Sequence, residues 1–416
     1  MIQQRSSLAF IVLVVFSLLI LVGLGWANYH IASDGFSGNG FFIQWIGIRA
    51  MLTGGTDPYE DQVTQRIQRV VDTADGFAEG PLARFTSPIY SGIIVLPFAL
   101  IEDDVLAHTL WLTAQLVFVF ITILMAVRLT GWKIAWYAFF FITLFTVFSY
   151  HVLLPWMDGG LPIWVTGFLV LFFLSIRAGR EELAGVLLAL TAIQPQMVIL
   201  LLVFILFWVI SQRKRLMILW FLGTLVSLSI IGVLLAPGWI LQYLRILFNY
   251  SANFPPGTPG VIFQTLWPGL GKQISWVFSG ILAIILLIEW WLARRKDFRW
   301  FLWTACLTLV ISQWIGIPTI PGNFIGLVLP LVLISAMLSE RWPRGGPWVM
   351  VVVCILLFVW EWALFITDLS NPEPQMQLNL LFPLPLVLLI GLYWVRWWAI
   401  KPRRLLMEEL RLSETY

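Results

Sequence analysis

The chain is poor in charge. Of its 416 residues only 11% are Asp, Glu, Lys or Arg, whereas 60% are hydrophobic, and the mean hydropathy is +0.90. Soluble domains have about 25% charged residues, so this composition excludes an ordinary soluble globular protein. Apolar runs long enough to cross a bilayer recur along the chain. The composition therefore predicts an all-α integral membrane protein, with residues 1–416 forming a single polytopic membrane domain.

Residues that carry metal and redox chemistry are also scarce. The two cysteines, Cys306 and Cys354, lie in apolar runs without a CxxC spacing, which is typical of small core residues. The three histidines are isolated, so no zinc spacing is present. The chain has no P-loop, and ATP-driven transport therefore has no support in this sequence. No cofactor is predicted, a divalent metal stays open, and nothing indicates a nucleic-acid partner.

The first apolar run, from about Leu8 to Trp26, is long for a cleaved signal sequence and predicts a retained span. The polar loop that follows holds "FFIQWIGIRAML", which is amphipathic, and "DQVTQRIQRVVD", which has a helical pattern; both indicate helices lying on the bilayer. The stretch 87–101 is apolar but short for a ~30 Å hydrocarbon layer. We therefore assign 30–104 to one extracytoplasmic first loop with surface or re-entrant helices.

The basic residues predict the orientation. If 87–101 does not cross, every second loop holds a basic cluster, and 19 of the 25 Lys and Arg lie on one face with six on the other. If it crosses, all later clusters move outside, against the positive-inside rule. We predict about 12 transmembrane helices in the cytoplasmic (plasma) membrane, with both termini cytoplasmic. The cytoplasmic clusters are Arg128/Lys133, Arg177/Arg180, Arg213/Lys214/Arg215, Arg294/Arg295/Lys296/Arg299, Arg341/Arg344 and the tail Arg396 to Arg411.

The same topology predicts a cavity that opens outward. The short spans 183–193 and 196–211 meet at "IQPQM", where Pro195 lacks a backbone donor and Gln194 is polar. Irregular backbone at membrane depth occurs where it is buried in protein or lines a wet cavity. The first loop would roof this cavity. Three other outward stretches would share its face: 153–164, 236–273 and 317–323.

Four acids are candidates for chemistry. Asp34, in "SDGFSGNG" just beyond the first span, is placed to act as a general base, with a turn or helix cap as the alternative. Asp57 begins "DPY" and is the second candidate base, although Asp-Pro favours a tight turn. Asp158 precedes Gly-Gly at the outer end of a span and is a candidate for binding substrate. Glu361 lies within a span, which indicates a functional acid with a partner or an interfacial carboxylate.

Outward cations are candidates for binding an anionic head group or stabilising a leaving phosphate. Contact with lipid phosphate explains each of them equally well. They are Arg49, Arg84, Arg245 and Lys272.

The order of several motifs resembles a known family. The motifs are "W-x-G-x-R-A-x-L-x-x-G-x-D-P-Y" (Trp45 to Tyr59), "F-x-S-P-I-Y" (Phe85 to Tyr90), "L-P-F-A-L-I" (Leu96 to Ile101) and "GREELAGVLLALTAIQPQ" (Gly179 to Gln196). Together they resemble polytopic glycosyltransferases of the GT-C superfamily, in particular the polyprenyl-phosphate-mannose-dependent mannosyltransferase-like branch. The resemblance runs from about residue 7 to 215 and implies a GT-C-like fold.

The resemblance also implies a reaction. In that family an aspartate early in the first outer loop is the base, which deprotonates an acceptor hydroxyl that attacks a lipid-phosphate sugar with inversion. Here the family's acid, directly before the aromatic run, corresponds to Asn39 or Gly40, and Asp34 lies six residues before Gly40. The lysine of the family's Lys-Pro break is Gln194, which is therefore our candidate donor-phosphate residue together with the outward cations.

We therefore predict a hexosyltransferase that moves a mannose-like sugar from a polyprenyl-phosphate donor to a glycan, lipid or protein acceptor on the outer face of the membrane. Asp34 is the predicted base. Two alternatives stay open: a transporter or flippase for a lipid-linked or anionic substrate, which would explain the Pro-broken helices and Glu361, and a catalytically silent GT-C-like assembly protein.

Overall fold

The computed structural model describes residues 2–34, 38–75, 83–253, 258–317, 321–370 and 382–400. Within these ranges all regular structure is helical and no strand occurs, as expected where lipid offers no partner to a free backbone group. Short 3-10 helices at Ile89–Ser91 and Pro321–Leu327 accompany the α-helices. The α-helices are α1 Ile2–Ser33, α2 Asn39–Gly54, α3 Asp61–Asp75, α4 Gly92–Ala99, α5 Asp104–Thr130, α6 Trp136–Phe148, α7 Tyr150–Asp158, α8 Pro162–Arg177, α9 Glu181–Thr191, α10 Pro195–Ser211, α11 Arg215–Leu235, α12 Trp239–Asn253, α13 Gly260–Leu266, α14 Gly271–Ala293, α15 Phe298–Ser312, α16 Val328–Arg341, α17 Gly346–Ser370 and α18 Pro383–Ile400.

The integral membrane class is confirmed, because seven helices are long and apolar enough to cross a bilayer. Counting the bent pair α6 and α7 as one span gives eight. The number of helices that qualify as spans by length and composition is therefore lower than the predicted 12. The difference lies in α8, α9, α10 and α15, which have 16, 11, 17 and 15 residues, whereas a straight span needs about 20.

The span expected over 133–152 is two helices that meet at an angle of 52°. Ser149 interrupts the helix with extended backbone (ψ 146°), and its carbonyl oxygen accepts the first backbone bonds of α7. The break redirects α7, which ends at Asp158 because Gly159 adopts a left-handed conformation with φ 72°.

The loops that carry the basic clusters meet at one end of the helix bundle, called here the basic end. Arg177 at the end of α8 donates to the carbonyl oxygens of Arg128 (2.9 Å) and Leu129 at the end of α5. The side-chain amide of Gln212 donates to the carbonyl of Lys296 (3.0 Å). The predicted clustering of basic loops on one face is therefore present in the described residues, while the tail from Lys401 to Arg411 lies outside them.

The first loop packs on the protein more closely than its pattern suggests. The predicted helices are present as α2 and α3. However, α2 buries most of one side, including Phe41, Trp45 and Ile48, and the Trp45 indole donates to the carbonyl of Phe98 (3.1 Å). An amphipathic pattern does not distinguish a lipid surface from an apolar protein surface. The expectation that α2 lies on the bilayer is therefore replaced by packing against α4.

Candidate active site

A cavity of about 510 Å³ lies at the end of α8 opposite to the basic end. Three parts of the chain form it: the start of α2 with the segment at Ser87, the turn between α7 and α8, and the break between α9 and α10. We call it the roofed pocket. Its polar lining residues include Asn39, Gln44, Ser87, Asp158, Gln194 and Gln196.

The turn that carries Asp158 is fixed by α5. The Trp111 indole donates to the carbonyl oxygen of Gly159 at 2.8 Å, and the Gln115 amide donates to that of Gly160 at 2.6 Å. A side chain at Gly159 would place its Cβ 2.6 Å from Cβ of Phe41, and the φ of 72° favours glycine as well. The position of the Asp158 backbone is therefore set by buried contacts.

The Asp158 carboxylate lies directly against Gly40. The backbone N–H of Gly40 donates to Oδ1 of Asp158 at 3.0 Å, across 118 positions of sequence. A Cβ atom added to Gly40 would lie 2.2 Å from Oδ2. The carboxylate thus occupies the space that a side chain at position 40 would need, and Asp158 itself is exposed to the pocket and solvent.

Hydrogen bonds hold the roof of the pocket in place. The Gln44 amide donates to Oγ of Ser87 at 2.8 Å, and the Tyr59 hydroxyl donates to the Ser87 carbonyl at 2.5 Å. The Tyr90 hydroxyl donates to the carbonyl of Ala192 at 3.0 Å. Burial raises the pKa of Tyr59 well above its ordinary value and the pKa of Tyr90 to about 12, so both phenols remain neutral donors at physiological pH.

Two helices begin at the pocket. Pro162 and Pro195 are the first residues of α8 and α10; Pro162 lines the cavity, and so do Gln194 and Gln196 on either side of Pro195. The first N–H groups of a helix have no partner within it and carry partial positive charge, which favours anions. The Oε1 atom of Gln194, beside Pro195, is buried and has no hydrogen-bond partner among the described residues. The break thus places a buried acceptor, Gln194 Oε1, beside two groups that could donate to a phosphate, the side-chain NH2 of Gln194 and the N–H of Gln196.

The predicted cations lie elsewhere. The described lining contains no Lys or Arg. Arg49 donates to the carbonyls of Ala99 and Ile101 at 3.1 Å, so it ties α2 to the end of α4. Arg245 and Lys272 are exposed, and Arg84 is half-buried two residues before the lining residue Thr86.

Two of the predicted acids also lie outside the described lining. Asp34 is exposed at the end of α1, and residues 35–37, which connect it to α2, fall outside the described ranges. Asp57 accepts the N–H of Tyr59 at 3.0 Å in the turn that "DPY" predicts. The structure therefore brings Asp158 and Gln194 together in one pocket, without Asp34 or Asp57 in its described wall.

Glu361 has a partner, as expected for an acid within a span. It is fully buried, with Oε1 3.5 Å from Nε2 of His151. The His151 ring stacks on Phe324 with a centroid distance of 4.7 Å. Because His151 lies one helical turn before Pro155, which lines the roofed pocket, the pair is packed beneath the pocket wall.

Sequence reasoning missed His108. Its ring is buried and stacks on Phe41 at 4.9 Å, and neither ring nitrogen has a hydrogen-bond partner in the described part of the chain. The signal available was a polar residue in the second turn of an apolar span. For metal chemistry, the described residues contain no group of three His, Cys, Asp or Glu that could hold an ion, and their one carboxylate in the pocket wall is Asp158.

Comparison with known proteins places this chain in a family. The family model described as Glycosyltransferase family 87 matches residues 85–318, more than half of the chain. The match includes Asp158 and the α9–α10 break, while Asp34 and Gly40 precede it. Neither a curated protein nor a solved structure matches the chain. A family of this kind requires a sugar donor and an acceptor, and the apolar helices place the reaction at a bilayer. The chain therefore belongs to glycosyltransferase family 87 and is a multi-pass membrane glycosyltransferase.

Proposed function

We propose that the roofed pocket transfers a mannose-like hexose from a polyprenyl-phosphate donor to a glycan, lipid or protein acceptor, with Asp158 as the general base. One observation carries this proposal: an accessible carboxylate is held against Gly40, in a pocket onto which two helix N-termini open. The motifs resembling GT-C mannosyltransferases support the choice of donor. In that branch the base directly precedes the aromatic run, which is the position of Asn39 and Gly40 in this chain.

The proposed step is a single displacement. The Asp158 carboxylate takes the proton of an acceptor hydroxyl, and the hydroxyl oxygen forms a bond to the anomeric carbon. The bond between that carbon and the phosphate oxygen breaks, and polyprenyl phosphate leaves with the electron pair. One displacement inverts the configuration at the anomeric carbon. General-base assistance of this kind typically contributes 10²–10⁴-fold to the rate.

The leaving phosphate is proposed to bind at the beginning of α10. The N–H of Gln196 in the first turn of this helix, together with the side-chain NH2 of Gln194, offers hydrogen-bond donors beside the pocket. Developing negative charge at a helix N-terminus is stabilised without reorganisation of the protein. Arg84, which is half-buried near Thr86 and has no hydrogen bond or ion pair within the described ranges, is the secondary candidate for this charge. Arg49, Arg245 and Lys272 are weaker candidates.

We further propose that the pocket faces outward from the cytoplasmic membrane and that both termini are cytoplasmic. The clustering of basic loops at the other end supports this orientation through the positive-inside rule. Twelve passages result when the short helices α8, α9, α10 and α15 are counted with the eight spans. Short helices are tolerated where protein and a wet cavity replace lipid at their ends.

The proposal is tested by assaying purified protein against a panel of lipid-phosphate sugars. We expect Asp158→Asn to lower the transfer rate by about 10²–10⁴-fold while the protein stays folded. Asp57→Asn is the matched control, since Asp57 forms a turn away from the pocket wall, and it should retain activity.

Asp34→Asn separates the two candidate bases. If Asp34→Asn abolishes transfer and Asp158→Asn does not, Asp34 is the base and our assignment is wrong. If the wild-type protein transfers none of the sugars although the detergent-purified protein is folded, the silent assembly role is favoured instead.

A further inference from the structure

A second cavity, of about 560 Å³, lies at the basic end. The ends of α5, α8, α16 and α18 and the beginning of α15 surround it. Helix α8 connects the two cavities, because Pro162 lines the roofed pocket and Arg177 lines this one. Those two residues are 15 positions apart in one α-helix, which corresponds to roughly 23 Å along the helix axis. The basic-end cavity is therefore distinct from the proposed site of transfer, and its volume is within the range of about 300–1,000 Å³ of ligand sites.

The charge in this cavity is mainly positive. Lys133, Arg177 and Arg299 line it, together with one carboxylate, Glu340. Arg177 is held in place because its guanidinium donates to the carbonyl oxygens of Arg128 and Leu129. Lys133 and Arg299 have no hydrogen bond or ion pair with any described residue. Three cations around one cavity therefore leave positive charge that a bound anion would balance.

One wall of the cavity holds an unsatisfied polar atom. The hydroxyl oxygen of Ser339 is buried and has no hydrogen-bond partner among the described residues. Buried hydroxyls are nearly always hydrogen-bonded, so an orphan in a cavity wall calls for a partner. An oxyanion in the cavity would accept its O–H.

Part of the cavity wall is apolar. Leu302, Leu333 and Met337 contribute to it, and Trp132 lies at the level of Lys133. Tryptophan is enriched at the membrane–water interface, and basic pockets between membrane helices on the basic side are typical sites for phospholipid head groups. A free phosphate would leave this apolar wall in water, whereas the glycerol and upper acyl segments of a lipid would cover it.

We propose that the basic-end cavity binds the phosphate head group of an anionic phospholipid from the adjacent leaflet. Lys133, Arg177 and Arg299 pair with the phosphate, and Ser339 donates its hydroxyl. This site does not depend on the proposed sugar transfer, because it requires only the embedding in a bilayer that the helices show.

The test compares phosphatidylglycerol binding by wild-type protein, by the Lys133→Gln/Arg299→Gln variant, and by Arg180→Gln/Arg295→Gln. The last is the control, since it also removes two cations from the basic end: Arg180 and Arg295 are both exposed and neither lines the cavity, whereas Lys133 is exposed and Arg299 is half-buried in the cavity wall. Lipid retention is measured by native mass spectrometry, and stabilisation by thermal shift in detergent. Each cation near a membrane surface is worth about a 5-fold change in affinity, so we expect on the order of 10- to 30-fold weaker binding in the cavity variant and little change in the control.

Further measurements decide the source of the anion and the state of the variant. Phosphatidylcholine, which has a phosphate but no net charge, should be retained weakly by all three proteins. Equal thermal shifts from inorganic phosphate and phosphatidylglycerol would overturn a lipid site in favour of a free-anion site. Equal lipid binding by the cavity variant and the control would overturn the site itself. If the double variant unfolds, Ser339→Ala replaces it, with an expected loss of about 3- to 10-fold.

Discussion

Gly40 and Asp158 depend on each other at the scale of single residues. The Gly40 N–H orients Oδ1 of Asp158, and the absence of a side chain at Gly40 makes room for Oδ2. An acid at position 40 and the present conformation of Asp158 would compete for the same space. The proposed base therefore comes from α7, whereas the motifs that resemble the GT-C branch would place an acid at the start of α2.

Gly40→Ala should lower the transfer rate by about 10²-fold, because its Cβ would lie 2.2 Å from Oδ2 and displace the carboxylate. A displacement of about 1 Å at a catalytic group has an effect of this size. The control is Gly223→Ala on α11, where an added Cβ meets no atom within 4 Å. Rates are measured with the same donor for both variants. Full activity of Gly40→Ala would show that the Asp158 position does not matter for transfer.

Tyr90 predicts how stability changes at high pH. Burial raises its pKa to about 12 from about 10 for an exposed phenol. The folded state therefore holds the phenolic proton more tightly, and this contribution is complete below pH about 10 and lost as the pH rises toward 12. It amounts to at most about 3 kcal/mol. Tyr90→Phe should make the fall in unfolding free energy between pH 10 and 12 shallower. The free energy of unfolding is measured by urea titration at several pH values, and an equal fall with pH in the variant and the wild type would contradict this.

At the scale of elements, the site is built from helix ends. The sequence predicted the break at Pro195, because proline between two short apolar runs interrupts the helix, and it predicted that 87–101 is too short to cross. It did not predict the pairing of Asp158 with Gly40. That contact joins residues 118 positions apart, and it depends on the bend at Ser149, which apolar periodicity does not reveal.

Substitutions of Gln194 test whether the N-terminus of α10 binds the donor phosphate. Gln194→Ala should raise the KM for the lipid-phosphate donor by about 10-fold, since a hydrogen bond to a charged group is worth about 1.5–3 kcal/mol. Gln194→Lys should lower this KM, because it supplies a positive charge at the same position. Gln212→Ala, at the opposite end of the same helix, serves as the control. A KM that is unchanged in both Gln194 variants would place the phosphate elsewhere.

At the scale of the whole molecule, the fold class and the clustering of basic loops follow from composition and charge alone. The count of spans does not. Helices of 11–17 residues are ambiguous in sequence, because the same length serves a buried segment, a re-entrant helix or a short passage lined by protein. Asp34 illustrates a second limit. Its position after the first span made it the obvious acid, whereas the acid in the described pocket wall comes from α7.

Orientation is decided by labelling single cysteines in intact cells. With Cys306 and Cys354 replaced by alanine, Thr53→Cys, Lys272→Cys and Arg295→Cys each introduce one exposed thiol. If 87–101 does not cross and the basic end is cytoplasmic, a membrane-impermeant maleimide should label positions 53 and 272 at once and position 295 only after the cells are opened. A crossing at 87–101 would place positions 53 and 272 on opposite sides, because an even number of passages otherwise separates them. If only position 295 is labelled in intact cells, the orientation is the reverse of the one we propose. The roofed pocket would then face the cytoplasm, and the donor would have to be supplied from the inner leaflet.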